Sequence, residues 1–336
     1  MTDVTVAGSA SVIGSALLGA KAVLAQGTVV RSVDGAVRIG TSSAVLENSV
    51  VVGRPGLETV VGHKSVFGHR CVIVGATVGD LCEIGNGSTL LPGARLGRRV
   101  FLGERTLVPA GLHLPDDSVA VGCPARIVRS ASAEDLERLR ELRDGDLSVP
   151  DDVQLSTITG NQEVGSTMGQ LYAYRDKRPS VASSARVFDS AEITGDVVVG
   201  DDSIIGAGVR IIGDSHGPVR IGARVQILEN TVLHLLPHND LIIDDDVVIG
   251  PAAMIHGCHI GAGTIVEPAA TVCDWARVGA GSIVRAGAVV KQRSSFDAGA
   301  VLDGFPATQV DSVTGLPPRP EWAFQPGDID ALVRVS

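Results

Sequence analysis

The sequence predicts an all-β solenoid, two tandem coils wound from six-residue units with short flanking α-helices. Three observations carry this. From Leu241 to Val290 an aliphatic residue returns every sixth position, at Ile243, Ile249, Ile255, Ile260, Val266, Val272, Val278, Val284 and Val290, with one step of five at Ile255 to Ile260. A helix repeats its apolar residues about every 3.6 positions and a half-buried strand every second. A fixed step of six instead fits a coil in which each unit forms one flat side and its opening aliphatic points inward. The same step also runs through the first half of the chain. Finally, 41 glycines and only 3% aromatic residues in 336 suit a narrow interior with many corners.

The first coil is expected over residues 1–130. Val6, Val12, Leu18, Leu24 and Val30 step by six. An excursion from Arg31 to Arg38 precedes Ile39, Val45 and Val51, and a second, Gly53 to Thr59, precedes Val61, Phe67 and Ile73. Ile73 to Val78 is again a step of five, and the coil closes near VGCPARIV, Val121 to Val128. Residues 131–180 read as a helix and linker. Leu136, Leu139 and Leu142 recur behind a candidate N-cap, Ser132, which predicts a helix lying along the first coil. Asp144 to Pro179 has no six-step and reads as a linker of mixed order, anchored by Tyr172 and Tyr174. The second coil, 181–312, repeats the layout of the first, with a Leu-Glu-Asn triplet at 228–230 as at 46–48, and closes at Asp303 to Val310. The tail, 313–336, is Pro-rich and then weakly amphipathic. The two coils are an internal duplication.

A net charge of −10 gives no basic face for a nucleic-acid backbone or an anionic membrane, so neither is expected as a partner. No apolar run reaches the roughly 20 residues needed to span a bilayer. The start, MTDVTVAGSASVIG, lacks the basic-then-apolar pattern of a signal peptide, and cytoplasm is the expected compartment. Five cysteines without a CxxC pattern read as buried free thiols.

The segments IGDSHGPVRIGARVQILENTVLH and VVIGPAAMIHGCHIGAGTIV of the second copy resemble the γ-class carbonic anhydrases. That family has R-G-D, P-x-R-I-G, Q-D ahead of T-V-V-H, and V-G-H-x4-H-G-C. The resemblance covers both coils and implies left-handed winding and a homo-oligomer, most simply a homotrimer. It also implies a site in which three histidines hold one metal and a metal-bound water attacks CO2. By position, His234 matches the first ligand and His256 the third, while Pro251 stands at the second. In the first copy, Val52 and Val74 stand at the first and third positions and His69 matches the second. In the family, one prism gives the first and third ligands and its neighbour gives the second. His69, His234 and His256 are therefore the expected metal ligands, from two coils, with Zn as the ion; Fe or Co would accept the same donors.

The chain departs from the family elsewhere. Leu228 and Leu46 stand in place of a Gln that positions the water, with Glu229 and Glu47 in place of the adjacent Asp. Glu47 or Glu229 is the candidate general base. Arg31 matches the family Arg in the first copy and Asp214 the family Asp in the second, an expected cross-interface ion pair. His63 reads as an outward-facing spare ligand, and LLPHND after His234 as a mostly apolar loop. The expected function is metal-dependent attack on CO2 or on a diverged small-molecule substrate, of lyase, hydrolase or cyclase type. Two alternatives stay open. A hexapeptide acyltransferase would use a histidine such as His113 and a coenzyme A groove, and a metal-free homologue would serve as a scaffold.

Overall fold

Short parallel strands separated by tight turns build both halves of the chain, and equivalent strands stack from one rung to the next. The computed structural model describes residues 3–150, 154–160, 168–214 and 217–332. Two compact units result, residues 1–161 with 330–336 and residues 162–329. Each is a left-handed parallel β-helix of hexapeptide repeats.

The registers measure the rungs. In the first unit Thr5, Val23, Ala44, Val66, Glu83, Phe101 and Val119 lie in register, so successive rungs hold 18, 21, 22, 17, 18 and 18 residues. In the second unit Arg186, Ile204, Gln226, Val248, Ile265, Ile283 and Val301 give 18, 22, 22, 17, 18 and 18. The long rungs contain the excursions and the short rung contains the five-residue step. Both coils thus have the same irregularities in the same order.

The inward aliphatics form continuous stacks. Ile193, Ile211, Leu233, Ile255, Val272 and Val290 follow one another up the second coil, all fully buried. Val30, Val51, Ile73, Leu90 and Val108 do the same in the first. Rungs stand about 4.8 Å apart, so each aliphatic touches those above and below, and the core is a column of such contacts.

Many corners take the left-handed conformation without glycine or asparagine. Lys64, Arg70, Leu81 and Arg99 have φ between 51° and 60°. The amide of each donates to a carbonyl in the turn one rung earlier, at Thr41, Glu47, His63 and Asp80 respectively. This ladder offsets a conformational cost of roughly 1–2 kcal/mol per residue, and composition does not reveal it.

Two expectations change. The excursion Arg31 to Arg38 is no loop. Strand Val29–Ile39 runs through it, with Val33, Ala36 and Val37 buried. Its two ends pair with different strands, Val50–Gly53 and Thr59–Val61, so it carries the sheet around a corner at Asp34 and Gly35, both at positive φ. The segment read as a linker supplies two strands. Leu155–Thr159 pairs antiparallel with Ser11–Gly19, and Met168–Tyr172 pairs parallel with Arg186–Gly195. An open first rung exposes unpaired amides and carbonyls, and these strands satisfy them. The far end of each coil closes in an antiparallel hairpin, Ser118–Val121 with Arg126–Ser130 and Ala300–Gly304 with Ala307–Ser312.

The helix predicted behind Ser132 spans Ala133–Glu141. Its capping box joins Ser132 to Asp135, and Leu139 is fully buried. Arg143 pairs with Glu83 and its Nε donates to the Lys64 carbonyl at 2.9 Å, fixing the segment to the first coil. In the tail, Trp322, Ala323 and Phe324 are buried, and Gln226 exchanges two hydrogen bonds with the Phe324 backbone at 2.9 and 3.0 Å. All five cysteines are free; Cys71, Cys82 and Cys258 are buried, Cys273 is half-buried and Cys123 is exposed. Among the described residues no helix is long and apolar enough to cross a membrane.

Candidate functional site

The second unit brings two of the predicted ligands together. Strands Val232–Leu233 and Met254–Ile255 are paired neighbours, so His234 and His256 leave the same edge on adjacent rungs. Their ring centroids are 6.2 Å apart and the planes cross at 88°. Two imidazoles that share one ion at about 2.1 Å each bring their centroids within about 6.5 Å, so this pair fits a shared metal. The place of the missing ligand holds Pro251, which is buried.

A buried carboxylate stands behind His256. Asp274 Oδ2 is 3.4 Å from His256 Nδ1, a buried ring nitrogen with no hydrogen-bond partner. The other oxygen, Oδ1, accepts from the Gly257 amide at 3.2 Å and from Asn239 Nδ2 at 3.3 Å. Asn239 Nδ2 also donates to the Gly257 carbonyl at 2.6 Å. Asn239 and Asp274 are each 7% exposed. Gly257 makes this possible, because a Cβ there would lie 2.2 Å from Asn239 Nδ2.

Sequence reasoning missed Asn239 and Asp274. Asn239 lies in LLPHND, which reads as mostly apolar, and Asp274 lies one rung beyond His256. The available signal is that His256 and Asp274 are 18 residues apart, the length of a regular rung.

The first unit has the converse arrangement. Val52 and Val74 occupy the two positions, directly paired and fully buried. Leu57 stands where the second unit has Asn239 and packs over Gly75, whose added Cβ would lie 2.3 Å from Leu57 Cδ1. Pro92 stands where the second unit has Asp274. The ligand, its carboxylate and its amide clamp are thus all replaced by apolar groups. His69 is exposed, with its Nδ1 2.7 Å from Glu47 Oε2. Glu47 therefore braces the candidate ligand and leaves Nε2 facing outward.

The remaining candidates lie apart from these groups. Arg31 is fully buried in the first unit, beside Val52 in the sheet, and Glu229 is fully buried in the second. Neither is at a surface that would face another chain, as the expected Arg31–Asp214 ion pair requires. Asp214 is half-buried, and its carbonyl accepts from Lys177 Nζ at 2.8 Å. His63 does not face outward as expected. It is 8% exposed, its Nδ1 accepts from the Thr41 amide at 3.0 Å, and it serves as a turn cap. His259 Nε2 lies 3.0 Å from Asp244 Oδ2. Among the described residues no cluster of three or more His, Cys, Asp or Glu side chains is placed to hold a metal within one chain.

No family model matches the chain. The protein YrdA of Escherichia coli is 38% identical over 147 residues, which cover 42% of this chain and 79% of that one. A carbonic anhydrase of Geobacillus kaustophilus is 37% identical over 106 residues, 32% of this chain and 58% of the relative, so the match spans little more than half of it. Among solved structures, a putative acetyltransferase of Bacillus cereus is 34% identical, over 44% of this chain and 86% of that one, with a TM-score of 0.43.

Proposed function

Because the chain belongs to the γ-class carbonic anhydrase-like family of hexapeptide-repeat proteins, we propose that it is a metalloenzyme whose site is assembled between chains. His234 and His256 come from the second coil of one chain and His69 from the first coil of another. One observation carries this reading. The second coil keeps the two imidazoles that one prism must give, 6.2 Å apart, and has Pro251 in the third place. The first coil has buried Val52 and Val74 in their places and keeps only the exposed His69.

Two coils cannot fill a three-prism ring evenly, so a homotrimer of six coils, forming two rings, is the simplest assembly. Zn suits three imidazoles, and an ion so held lowers the pKa of a water toward about 7. Glu47 and Asp274 orient two of the rings. Leu228 and Leu46 supply no amide to hold a water, which favours a substrate bulkier than CO2, the substrate of the family's carbonic anhydrases.

Metal content of the purified trimer tests the proposal. About one ion per chain is expected. His69→Ala and His256→Ala should each empty the site, because two imidazoles hold an ion weakly; His63→Ala and Val74→Ala should leave it full. Wild-type protein without metal after expression in zinc-supplemented medium, or full loading of His69→Ala, would rule the composite site out.

A further inference from the structure

We infer that Asp274, held in place by Asn239, is a positioning residue that fixes His256 in the tautomer with its proton on Nδ1, so that Nε2 presents its lone pair outward. The inference rests on the reading of His256 as a ligand only for its consequence. The tautomer itself follows from geometry.

His256 Nδ1 is buried and without a hydrogen-bond partner, and the polar group facing it is Asp274 Oδ2 at 3.4 Å. A carboxylate oxygen only accepts. If Nδ1 were also an acceptor, two lone pairs would face each other away from water, an arrangement buried polar groups avoid. With the proton on Nδ1, a small ring rotation closes the bond. Asp274 cannot swing away to relieve the contact. Its other oxygen takes the Gly257 amide at 3.2 Å and the Asn239 amide group at 3.3 Å. Asn239 is fixed in turn by donating to the Gly257 carbonyl at 2.6 Å and by accepting from the Asp240 amide at 2.9 Å. The clamp thus ties the loop after His234 to the ring of His256, so both imidazoles depend on it.

The first coil provides an independent argument. There the positions of His256, Asp274 and Asn239 are Val74, Pro92 and Leu57. Where the imidazole is absent, the carboxylate and the amide are absent too. A carboxylate that served only the coil's stability would have no reason to depart with the histidine.

The test uses metal-free, histidine-15N-labelled full-length protein. Long-range proton–nitrogen correlations read the tautomer, and His256 is assigned by loss of its signals in His256→Gln. Wild type should show His256 with Nδ1 protonated. Asp274→Asn offers a donor to Nδ1, so it should abolish or reverse that preference with little change in melting temperature. It should also weaken zinc binding, read by chelator competition, by about 10–100-fold. Asn239→Leu, which copies the first coil, keeps the carboxylate but frees it, and should move both readouts in the same direction by less. Wild-type His256 protonated on Nε2, or an unchanged tautomer in Asp274→Asn, overturns the inference. A protonated Nδ1 in a wild type that takes no zinc upholds the clamp and overturns the metal reading, so the two failures are distinguishable.

Discussion

Adding one methyl group at Gly257 should disturb the second unit far more than glycine-to-alanine changes usually do. The new Cβ would lie 2.2 Å from Asn239 Nδ2, 2.6 Å from its Cγ and 3.0 Å from Leu235 Cβ. Asn239 is buried and held by several bonds, so it cannot yield at low cost and must leave. Its departure breaks the bond to the Gly257 carbonyl and the bond to Asp274. That carbonyl keeps the Trp275 amide at 2.6 Å, so its loss is partial. Asp274 keeps only the Gly257 amide among these donors. One neutral bond is worth about 1 kcal/mol and one to a charged acceptor about 1.5–3, which gives roughly 3 kcal/mol in all. For a unit of this size that lowers the melting temperature by about 10 °C. Differential scanning calorimetry of Gly257→Ala, Asn239→Ala and the double variant measures it. The double variant should be only slightly less stable than Asn239→Ala, because the clashing side chain is already gone. Equal costs of Gly257→Ala in both backgrounds would refute the account.

Burial pushes the thiols of Cys71 and Cys82 up to about 12 and raises that of Cys258. With a chromogenic disulfide reagent at pH 8, exposed Cys123 should react quickly and these three only after denaturation; fast reaction of four or more in the native protein would contradict this. Burial likewise raises the Glu267 carboxyl above its ordinary value. The protonated form is therefore favoured by folding; that contribution is complete below the ordinary value and is lost as pH rises through the raised one. Glu267→Gln keeps an acceptor for the Ala286 amide, so it should melt higher than wild type at pH 7, with the gap closing toward pH 4; a gap that ignores pH would contradict the cause. Val52→His with Val74→His should destabilise the first unit and add no metal, since both positions are fully buried and lack the carboxylate and amide of the second coil. Extra zinc in that variant would show that the imidazoles alone suffice.

The coils were legible because each flat side needs one inward aliphatic, and that need repeats every six residues whatever else changes. His234, His256 and His69 were legible through a local motif. The clamp was not, because Asn239 and Asp274 are 35 residues apart and meet only when rungs stack. Glu47 was read as a base, since nothing in the sequence shows that His69 lies 2.7 Å away one rung later. The strands Leu155–Thr159 and Met168–Tyr172 carry no six-step because they dock on an edge and form no coil side. Corners at Lys64, Arg70 and Leu81 are invisible to composition, since a rung-to-rung amide bond does the work usually left to glycine.

A column of near-identical rungs has a danger that a globular core does not: translational degeneracy. A strand of Val and Ile can pair with the rung above its proper partner and still bury its aliphatics, so a regular coil could fold one storey out of step. The succession of two 22-residue rungs and a 17-residue rung in both coils acts as a notch on that column. A chain displaced by one rung would bring a short rung against a long one, leaving a corner unclosed and a loop without its seat. His234 and His256 are 22 residues apart, within that notched region. The irregularity that spoils the repeat also indexes it, at the level where the two imidazoles must meet.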